Sequence, residues 1–174
     1  SSYCGIFTAE HEGVTYYFID NEQYFKRDVV YGSYDDGEIF AFFSRAVLEV
    51  LPVIDFIPDI INANDWHTAL VPVYLNAFYR HREEYKYIKT VLSIHNIEFQ
   101  GRFDPYILGD VFGLSEEHKP LLFYDNGLNL VKGAIECSDR VTTVSPSYAN
   151  EILDPYFSFG LEHILHARRY KLSG

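Results

Sequence analysis

The sequence predicts an α/β fold in which a parallel β-sheet carries helices on both faces, with a β-hairpin near the start of the chain. Two observations support this. Short runs of aliphatic and β-branched residues alternate with stretches of helical periodicity from residue 59 onwards. Before them, two strand-like runs are joined by a polar connection. A chain of 174 residues that is 48% hydrophobic and 22% charged has the composition of one globular domain.

The hairpin is predicted from two runs rich in β-branched and aromatic residues, Tyr3 to Thr8 and Val14 to Ile19. The polar segment from Ala9 to Gly13 is expected to connect them. Apolar residues then recur at helical spacing from Ile39 to Leu51, and Pro52 ends this pattern. A helix that faces the core is therefore expected directly after the hairpin.

Three strand-to-helix units follow. The predicted strands are Asp59 to Ala63, Ile88 to Ile94 and Arg140 to Val144. The predicted helices are Thr68 to Tyr79, Leu128 to Cys137, and one that starts with Ser145 as N-cap and Pro146 at its first position. Alternation of this kind is typical of parallel sheets, whose ligands bind beyond the carboxyl ends of the strands.

Polar side chains follow directly on these predicted strands. They are Asp65, His95, Asn96 and Ser145. Because the carboxyl ends of parallel strands meet at one edge of the sheet, we expect these four residues to gather along one rim. The rim is the main candidate for a functional site.

Each of these residues also has a structural interpretation. Asn64 or Asp65 can cap the helix that follows while Trp66 packs into the core. A single histidine at the end of a strand, such as His95, is more often structural than functional. The presence of several polar groups on the same rim favours the functional interpretation.

Charge and composition exclude several function classes. The net charge is −11, with Lys and Arg scattered along the sequence, so nucleic acids and anionic membranes are not expected partners. The sequence contains no apolar run long enough to span a membrane and no signal-peptide pattern in residues 1 to 20, which predicts a cytoplasmic location.

A metal site and a disulfide framework are not expected either. His163 and His166 are three residues apart, but no acidic or cysteine ligand lies at a suitable spacing. Cys4 and Cys137 form no CxxC motif and are expected to be small buried hydrophobic residues. Familiar motifs for nucleotide binding, serine hydrolysis and zinc proteolysis are missing from the sequence. Composition and spacing alone lead to an α/β sheet with a polar rim.

Several stretches, taken in order, resemble the bacterial-type glycogen and starch synthases that use ADP-glucose. They are Tyr17–Asn21 with Tyr24–Arg27 and Tyr31–Gly32, Phe40–Ala46, Asn64–Ala69, Ser93–Asn96 with Phe99–Gly101, Asn129–Ile135, Ser138–Ala149, and Gly160–Glu162 through Leu172–Gly174. The resemblance covers nearly the whole chain. Asn64 stands where some family members have histidine, and we expect this difference to matter little.

The resemblance implies a family 5 glycosyltransferase of the GT-B architecture, in which two Rossmann-like domains face each other across a cleft. Residues 1–174 then resemble part of the amino-terminal domain. The family's first strand with its Lys-Thr-Gly-Gly-Leu loop, and the whole carboxyl-terminal nucleotide-binding domain, are expected to be absent. The expected partners are therefore that missing domain, ADP-glucose and an α-1,4-glucan such as glycogen, and the isolated chain is expected to be inactive.

The resemblance also implies roles for individual residues. His95 and Asp65 correspond to the catalytic residues beside the transferred glucose, and Asn96, Tyr31 and Gln100 to substrate-binding positions. The implied reaction transfers glucose from ADP-glucose to the non-reducing end of an α-1,4-glucan with retention at the anomeric carbon, without metal or cofactor. Because the resemblance supplies no pair of closely spaced carboxylates, we expect internal-return substitution without a covalent intermediate.

Two alternatives remain open at this point. The chain could be a non-catalytic glucan-binding module of the same fold, although the presence of His95 and Asp65 disfavours this. It could also belong to a GT-B transferase that uses UDP-glucose, since the residues that read the nucleotide base lie mostly outside the chain.

Overall fold

A computed structural model describes residues 2–174. Its strands are β1 (Gly5–His11), β2 (Val14–Asp20), β3 (Ile60–Asn64), β4 (Lys89–Ile94), β5 (Arg102–Phe103), β6 (Phe123–Tyr124), β7 (Gly127–Asn129), β8 (Arg140–Thr143) and β9 (Leu172–Ser173). Its α-helices are α1 (Glu22–Phe25), α2 (Asp36–Val50), α3 (Leu70–Tyr74), α4 (Ile107–Asp110), α5 (Lys119–Leu122), α6 (Leu130–Cys137), α7 (Pro146–Glu151) and α8 (Glu162–Ala167).

The main sheet is parallel and has the strand order β3-β4-β8-β9. Each crossover thus leads to the adjacent strand, and helices α3 and α6 of successive crossovers pack against each other. Neighbouring residues of a strand point to opposite faces. In β4 both Leu92 and Ser93 are buried, so both faces of the sheet are covered. The predicted α/β fold with a parallel sheet is confirmed.

The predicted hairpin is confirmed, but its strands are longer than expected. β1 and β2 pair from Gly5 opposite Asp20 to His11 opposite Val14. Only Glu12 and Gly13 form the turn, both with positive φ (51° and 78°), as two-residue hairpin turns require. The prediction of a connection from Ala9 to Gly13 was wrong because cross-strand pairing outweighs the local polarity of these residues.

Two helix boundaries also differ from the prediction. The stretch predicted as one helix from Thr68 to Tyr79 begins with a 3₁₀ turn at Trp66–Thr68, continues as α3 and ends in a π-helical turn at Leu75–Tyr79. Residues 128 and 129 lie in β7, and α6 begins at Leu130 because the Asn129 side chain caps it by accepting a hydrogen bond from the Lys132 amide. β7 is the centre of a small antiparallel sheet of order β5-β7-β6, which the sequence patterns did not predict.

Buried tyrosines contribute to the core, and their hydroxyl groups are hydrogen-bonded there. Tyr74 and Tyr85 are almost completely buried. Their hydroxyls donate to the backbone oxygens of Phe112 and Leu48, at 2.9 and 2.8 Å. A buried hydroxyl without a partner would be destabilising, so these bonds explain how the core tolerates phenols. Burial raises the pKa of both residues above the ordinary value for tyrosine.

A buried lysine stabilises the carboxyl end of α6. Lys171 is 5% exposed, and its Nζ donates to the carbonyl oxygens of Ser138 and Glu136, at 2.6 and 3.2 Å. The last carbonyls of a helix lack partners within the helix, and a cation at this end is favoured by the helix dipole. Burial lowers the pKa of Lys171.

Asp139 connects the amino ends of two neighbouring strands. Its carboxylate accepts a 2.8 Å hydrogen bond from the Thr90 amide and lies 3.4 Å from Lys89 Nζ. Partial burial pushes the pKa of Asp139 upward, but the Thr90 hydrogen bond and the nearby cations outweigh it and hold the pKa below its usual range.

Both cysteines are free thiols. Cys137 is partly buried, whereas Cys4 is exposed, so the prediction that Cys4 is buried was wrong. It lies just before β1, which begins at Gly5. Of the helices in residues 2–174, none combines the length and the apolar character needed to cross a bilayer.

Candidate active site

The candidate site lies at the carboxyl ends of β3 and β4, and Asp65 connects the two strands. Its amide donates to the backbone oxygen of Ser93 at 2.9 Å. Its carboxylate oxygen Oδ1 accepts a 2.8 Å hydrogen bond from the His95 amide. Asp65 makes no side-chain cap on the turn that follows, whereas Trp66 is buried as the structural interpretation expected.

The backbone of Asp65 is strained. Its φ of 56° and ψ of −172° fall in a region that is essentially restricted to glycine. A residue held there costs on the order of 1–3 kcal/mol and persists only where its surroundings fix it. The bonds to Ser93 and His95 supply that constraint. Such strain concentrates at functional sites, which supports a functional role for this turn.

His95 lies at the surface and its imidazole is oriented by Asn64. The distance from His95 Nε2 to Asn64 Oδ1 is 3.0 Å. The Asn64 amide nitrogen is 3.4 Å from the Asn62 carbonyl oxygen, which turns the amide oxygen towards His95. In the tautomer that carries its proton on Nε2, this nitrogen donates to Asn64 Oδ1 and Nδ1 is an acceptor. The side chain of Asn64 thus sets the orientation of His95.

Asn96 follows His95 and shapes the next turn. Its side-chain oxygen accepts a 3.0 Å hydrogen bond from the Glu98 amide, and its carbonyl oxygen accepts from Phe99 at 3.3 Å. The side chain is exposed. Since the oxygen is used by the turn, the amide NH₂ is the group of Asn96 that can donate to a ligand.

Gln100 is placed differently from the other four predicted site residues. It is 3% exposed, and its amide nitrogen donates to the carbonyl oxygens of Ile97 and Phe159, at 2.9 and 3.2 Å. Its oxygen accepts from Asn129 at 2.7 Å and from Arg102 at 3.0 Å. These contacts favour a role in holding the loop after β4. Direct contact between Gln100 and substrate stays a prediction.

Tyr31 reaches the site from the loop that precedes α2. Tyr31 is 55% exposed, and its ring stands edge-on to His67 with ring centroids 5.1 Å apart. Other sides of the His67 ring contact Phe40 and Trp66, at 4.9 and 4.3 Å between centroids. Tyr31 is thereby held beside the turn that carries Asp65.

His67 lies at the site, although the sequence alone assigned it no role. Burial lowers its pKa, and this effect outweighs the nearby carboxylates of Asp65 and Asp36, which favour the charged form. Burial therefore favours the neutral form of the ring. No hydrogen-bond partner for Nε2 is found within residues 2–174. The available signal was its place in the Asp65-Trp66-His67 segment, two residues after the candidate carboxylate.

Ser145 occupies the same rim after β8, as predicted. Its hydroxyl oxygen accepts a 3.1 Å hydrogen bond from the Tyr148 amide and caps α7, with Pro146 at the first helical position. The Tyr148 hydroxyl in turn accepts a 3.0 Å hydrogen bond from the Ile97 amide. The α7 region thus fixes the loop that follows His95.

Chemically, the arrangement offers a carboxylate, an oriented imidazole, an amide and a phenol at one open edge. Groups that both donate and accept suit a polyhydroxylated ligand, and fixed dipoles can stabilise charge as it develops. Across the described part of the chain, no cluster of three or more His, Cys, Asp and Glu side chains is arranged to hold a metal ion.

Comparison with known proteins identifies a family. A family model described as the starch synthase catalytic domain matches residues 1–167. Glycogen synthases from Anoxybacillus flavithermus and Streptococcus agalactiae are 50% and 51% identical to the chain, each over 99% of it. The chain spans only 36% and 37% of the length of these relatives.

A solved structure is also similar. The catalytic domain of starch synthase IV from Arabidopsis thaliana, bound to ADP and acarbose, superposes with a TM-score of 0.88 at 33% identity. The match covers 98% of this chain and 36% of that one. On the family match, the sequence identity and the shared fold, the chain belongs to the starch synthase catalytic domain family.

Proposed function

We propose that this chain forms the glucose-facing wall of a glycogen synthase that transfers glucose from ADP-glucose to the non-reducing end of an α-1,4-glucan, with retention. Family membership and the names of the glycogen synthase relatives support the reaction. The ADP and acarbose bound to the Arabidopsis enzyme support a nucleotide donor and a glucan acceptor. The observation that carries the proposal is the coupling of Asp65 to His95 at the rim.

In this proposal His95 is the catalytic residue that contacts the transferred sugar. Its Nε2–H is engaged by Asn64, so Nδ1 can accept a hydrogen bond from a sugar hydroxyl. Glucosyl transfer develops positive charge on the ring and negative charge on the departing diphosphate. We propose that the carboxylate of Asp65 faces the sugar, where it can stabilise the positive charge. It also holds the His95 backbone through the hydrogen bond to the His95 amide.

Asn96 and Tyr31 are proposed to bind the substrate around this centre. The Asn96 NH₂ can donate to a hydroxyl, and the exposed Tyr31 ring can pack against a sugar face. Gln100 is proposed to act at the same site, with its contacts to the loop after β4 pointing to a positioning role. Without a nucleophilic carboxylate pair, we infer internal-return substitution.

The diphosphate is proposed to be held by a second domain, as the GT-B resemblance implies. A cleft with one wall surrounds a donor poorly, so the isolated chain should bind ADP-glucose weakly and turn it over undetectably. Calorimetric titration of the chain tests this, and micromolar binding of ADP-glucose would contradict it. The predicted cytoplasmic location is part of the same proposal, and cell fractionation tests it.

A chimera tests the function directly. This chain replaces the matching segment of the Anoxybacillus flavithermus glycogen synthase, and transfer of labelled glucose from ADP-glucose or UDP-glucose to glycogen is measured. We expect transfer, with ADP-glucose as the better donor. His95→Ala should lower the rate on the order of 100-fold or more, with little change in the unfolding midpoint. A chimera that is as stable as the parent synthase yet transfers from neither donor would refute the proposal.

The matched control is Asp28→Asn. Asp28 is an exposed acidic residue outside the candidate site, so its replacement should leave the transfer rate within about twofold. If His95→Ala instead lowered rate and stability together, His95 would be a structural residue.

A further inference from the structure

The loop that carries Tyr31 is held in place although most of it faces solvent. We call residues 26–35, between α1 and α2, the Tyr31 loop. Val30 is 80% exposed and Tyr34 99% exposed, so packing alone does not fix this segment. Three specific attachments do.

The first attachment closes the base of the loop. Arg27 and Asp35 form a two-pronged ion pair with distances of 2.7 and 2.5 Å. The hydrogen bonds from Arg27 lower the pKa of Asp35. A partly exposed ion pair of this kind is weak on its own, but the planar guanidinium also fixes the relative orientation of the two loop ends.

The second attachment is a buried carboxylate next to Tyr31. Asp36, the first residue of α2, is 6% exposed and accepts hydrogen bonds from the amides of Gly32 and Ser33, at 2.6 and 3.0 Å. Gly32 has a φ of 99°, which only glycine adopts without strain, so the chain turns sharply directly after Tyr31. A charge at this position is stabilised by the amino end of the helix.

The third attachment is the contact between the rings of Tyr31 and His67. His67 is enclosed by Tyr31, Phe40 and Trp66. The charged groups that face it are Asp65 on its own turn and Asp36 on α2. Because Phe40 and Trp66 restrict the His67 ring, that ring gives Tyr31 a fixed surface to pack against.

We propose that Asp36 and His67 are positioning residues, which hold Tyr31 beside the Asp65 turn before the sugar donor binds. Asp36 fixes the backbone on the carboxyl side of Tyr31, and His67 fixes the ring. The inference rests on the proposed function, because it assigns Tyr31 to the substrate site. Groups ordered before binding raise the reaction rate, since the substrate does not have to order them.

Amide hydrogen exchange of the chain tests the backbone half of this proposal without any activity measurement. In Asp36→Ala the Gly32 and Ser33 amides should exchange about tenfold faster or more, while the amides of β4 stay unchanged. Asp36→Asn keeps one acceptor oxygen and should restore part of the protection. Asp28→Asn removes an exposed charge from the same loop and should have no effect. Unchanged exchange of Gly32 and Ser33 in Asp36→Ala would overturn the proposal.

A double-mutant cycle in the chimera tests the coupling to Tyr31. Asp36→Ala alone should lower the transfer rate about tenfold, and it should have almost no further effect when Tyr31→Ala is already present. A merely structural Asp36 would lower the rate equally in both backgrounds, and that result would overturn the proposal. If the unmutated chimera shows no transfer at all, the proposed function is refuted, and the proposed role of Asp36 and His67 in catalysis is refuted with it.

The ring half is tested by replacing His67. His67→Ala removes the surface under Tyr31 and should lower the transfer rate about tenfold, whereas His67→Phe keeps an aromatic ring and should restore most of it. Equal losses in the two variants would overturn the role of the His67 ring as a support for Tyr31.

Discussion

Replacing Gly101 by alanine tests the packing beneath the candidate site. Gly101 follows Gln100 and has a φ of +63°, and an added Cβ would lie 2.8 Å from the Trp66 ring and 3.2 Å from Leu130 Cβ. Holding a non-glycine residue in the left-handed region costs roughly 1–2 kcal/mol. Overpacking a well-packed core adds typically about 1–3 kcal/mol. We therefore expect Gly101→Ala to lower the free energy of unfolding by roughly 2–5 kcal/mol.

Gly113→Ala is the matched control for this change. Gly113 has nearly the same φ, +66°, but an added Cβ would meet nothing within 4 Å. It should cost only the backbone part, roughly 1–2 kcal/mol. Urea unfolding can be followed by the fluorescence of Trp66, the single tryptophan of the chain. Equal destabilisation by the two substitutions would refute the argument that the Trp66 ring and Leu130 leave no room at Gly101.

Three further predictions concern stability. The pKa of Asp139 is depressed in the folded chain, so the stability that its carboxylate contributes should be complete above the ordinary aspartate pKa of about 3.9 and lost as the pH falls through the folded pKa. The difference in unfolding free energy between the chain and Asp139→Asn, measured by urea unfolding, should therefore shrink over that pH range. A difference that does not depend on pH would contradict the ion pairing. Lys171→Met leaves the Ser138 carbonyl, which is buried, and the Glu136 carbonyl, which is partly buried, without this partner at the end of α6. It should cost roughly 1–3 kcal/mol in the same experiment, with exposed Lys26→Met as the control. No loss would mean that water replaces the ammonium group. Ser145→Ala removes the cap of α7 and should lower the unfolding free energy by about 1 kcal/mol, most of which Ser145→Asp should restore. Equal stability of the unmutated chain and the two variants would show that Pro146 alone starts the helix.

Much of the fold could be predicted from local patterns. The runs that became β3, β4 and β8 were identified by their aliphatic and β-branched residues, and the cap formed by Ser145 and Pro146 by its side-chain chemistry. These signals depend on a few neighbouring residues, so they can be recognised without knowledge of the tertiary structure. The small β5-β7-β6 sheet was missed because its two- and three-residue strands are too short to carry a period.

The candidate site was only partly predictable, because local patterns do not record contacts between residues that are distant in sequence. Parallel-sheet geometry was enough to expect Asp65, His95, Asn96 and Ser145 on one rim. It could not show that Gln100 is buried with its amide fully engaged, because that depends on residues as distant in sequence as Phe159.

The sequence by itself determined the α/β order of elements, the hairpin, and the family resemblance with its candidate residues. All three depend on the identity and spacing of residues that are close together in the sequence. Only the tertiary structure decided which of these groups act on one another. The hydrogen bond from the His95 amide to Asp65, the orientation of His95 by Asn64, and the contact of Tyr31 with His67 each join residues thirty or more positions apart in the sequence. Such contacts arise from the pairing of β3 with β4 and from the packing of α2 against the turn after β3, which no local pattern records.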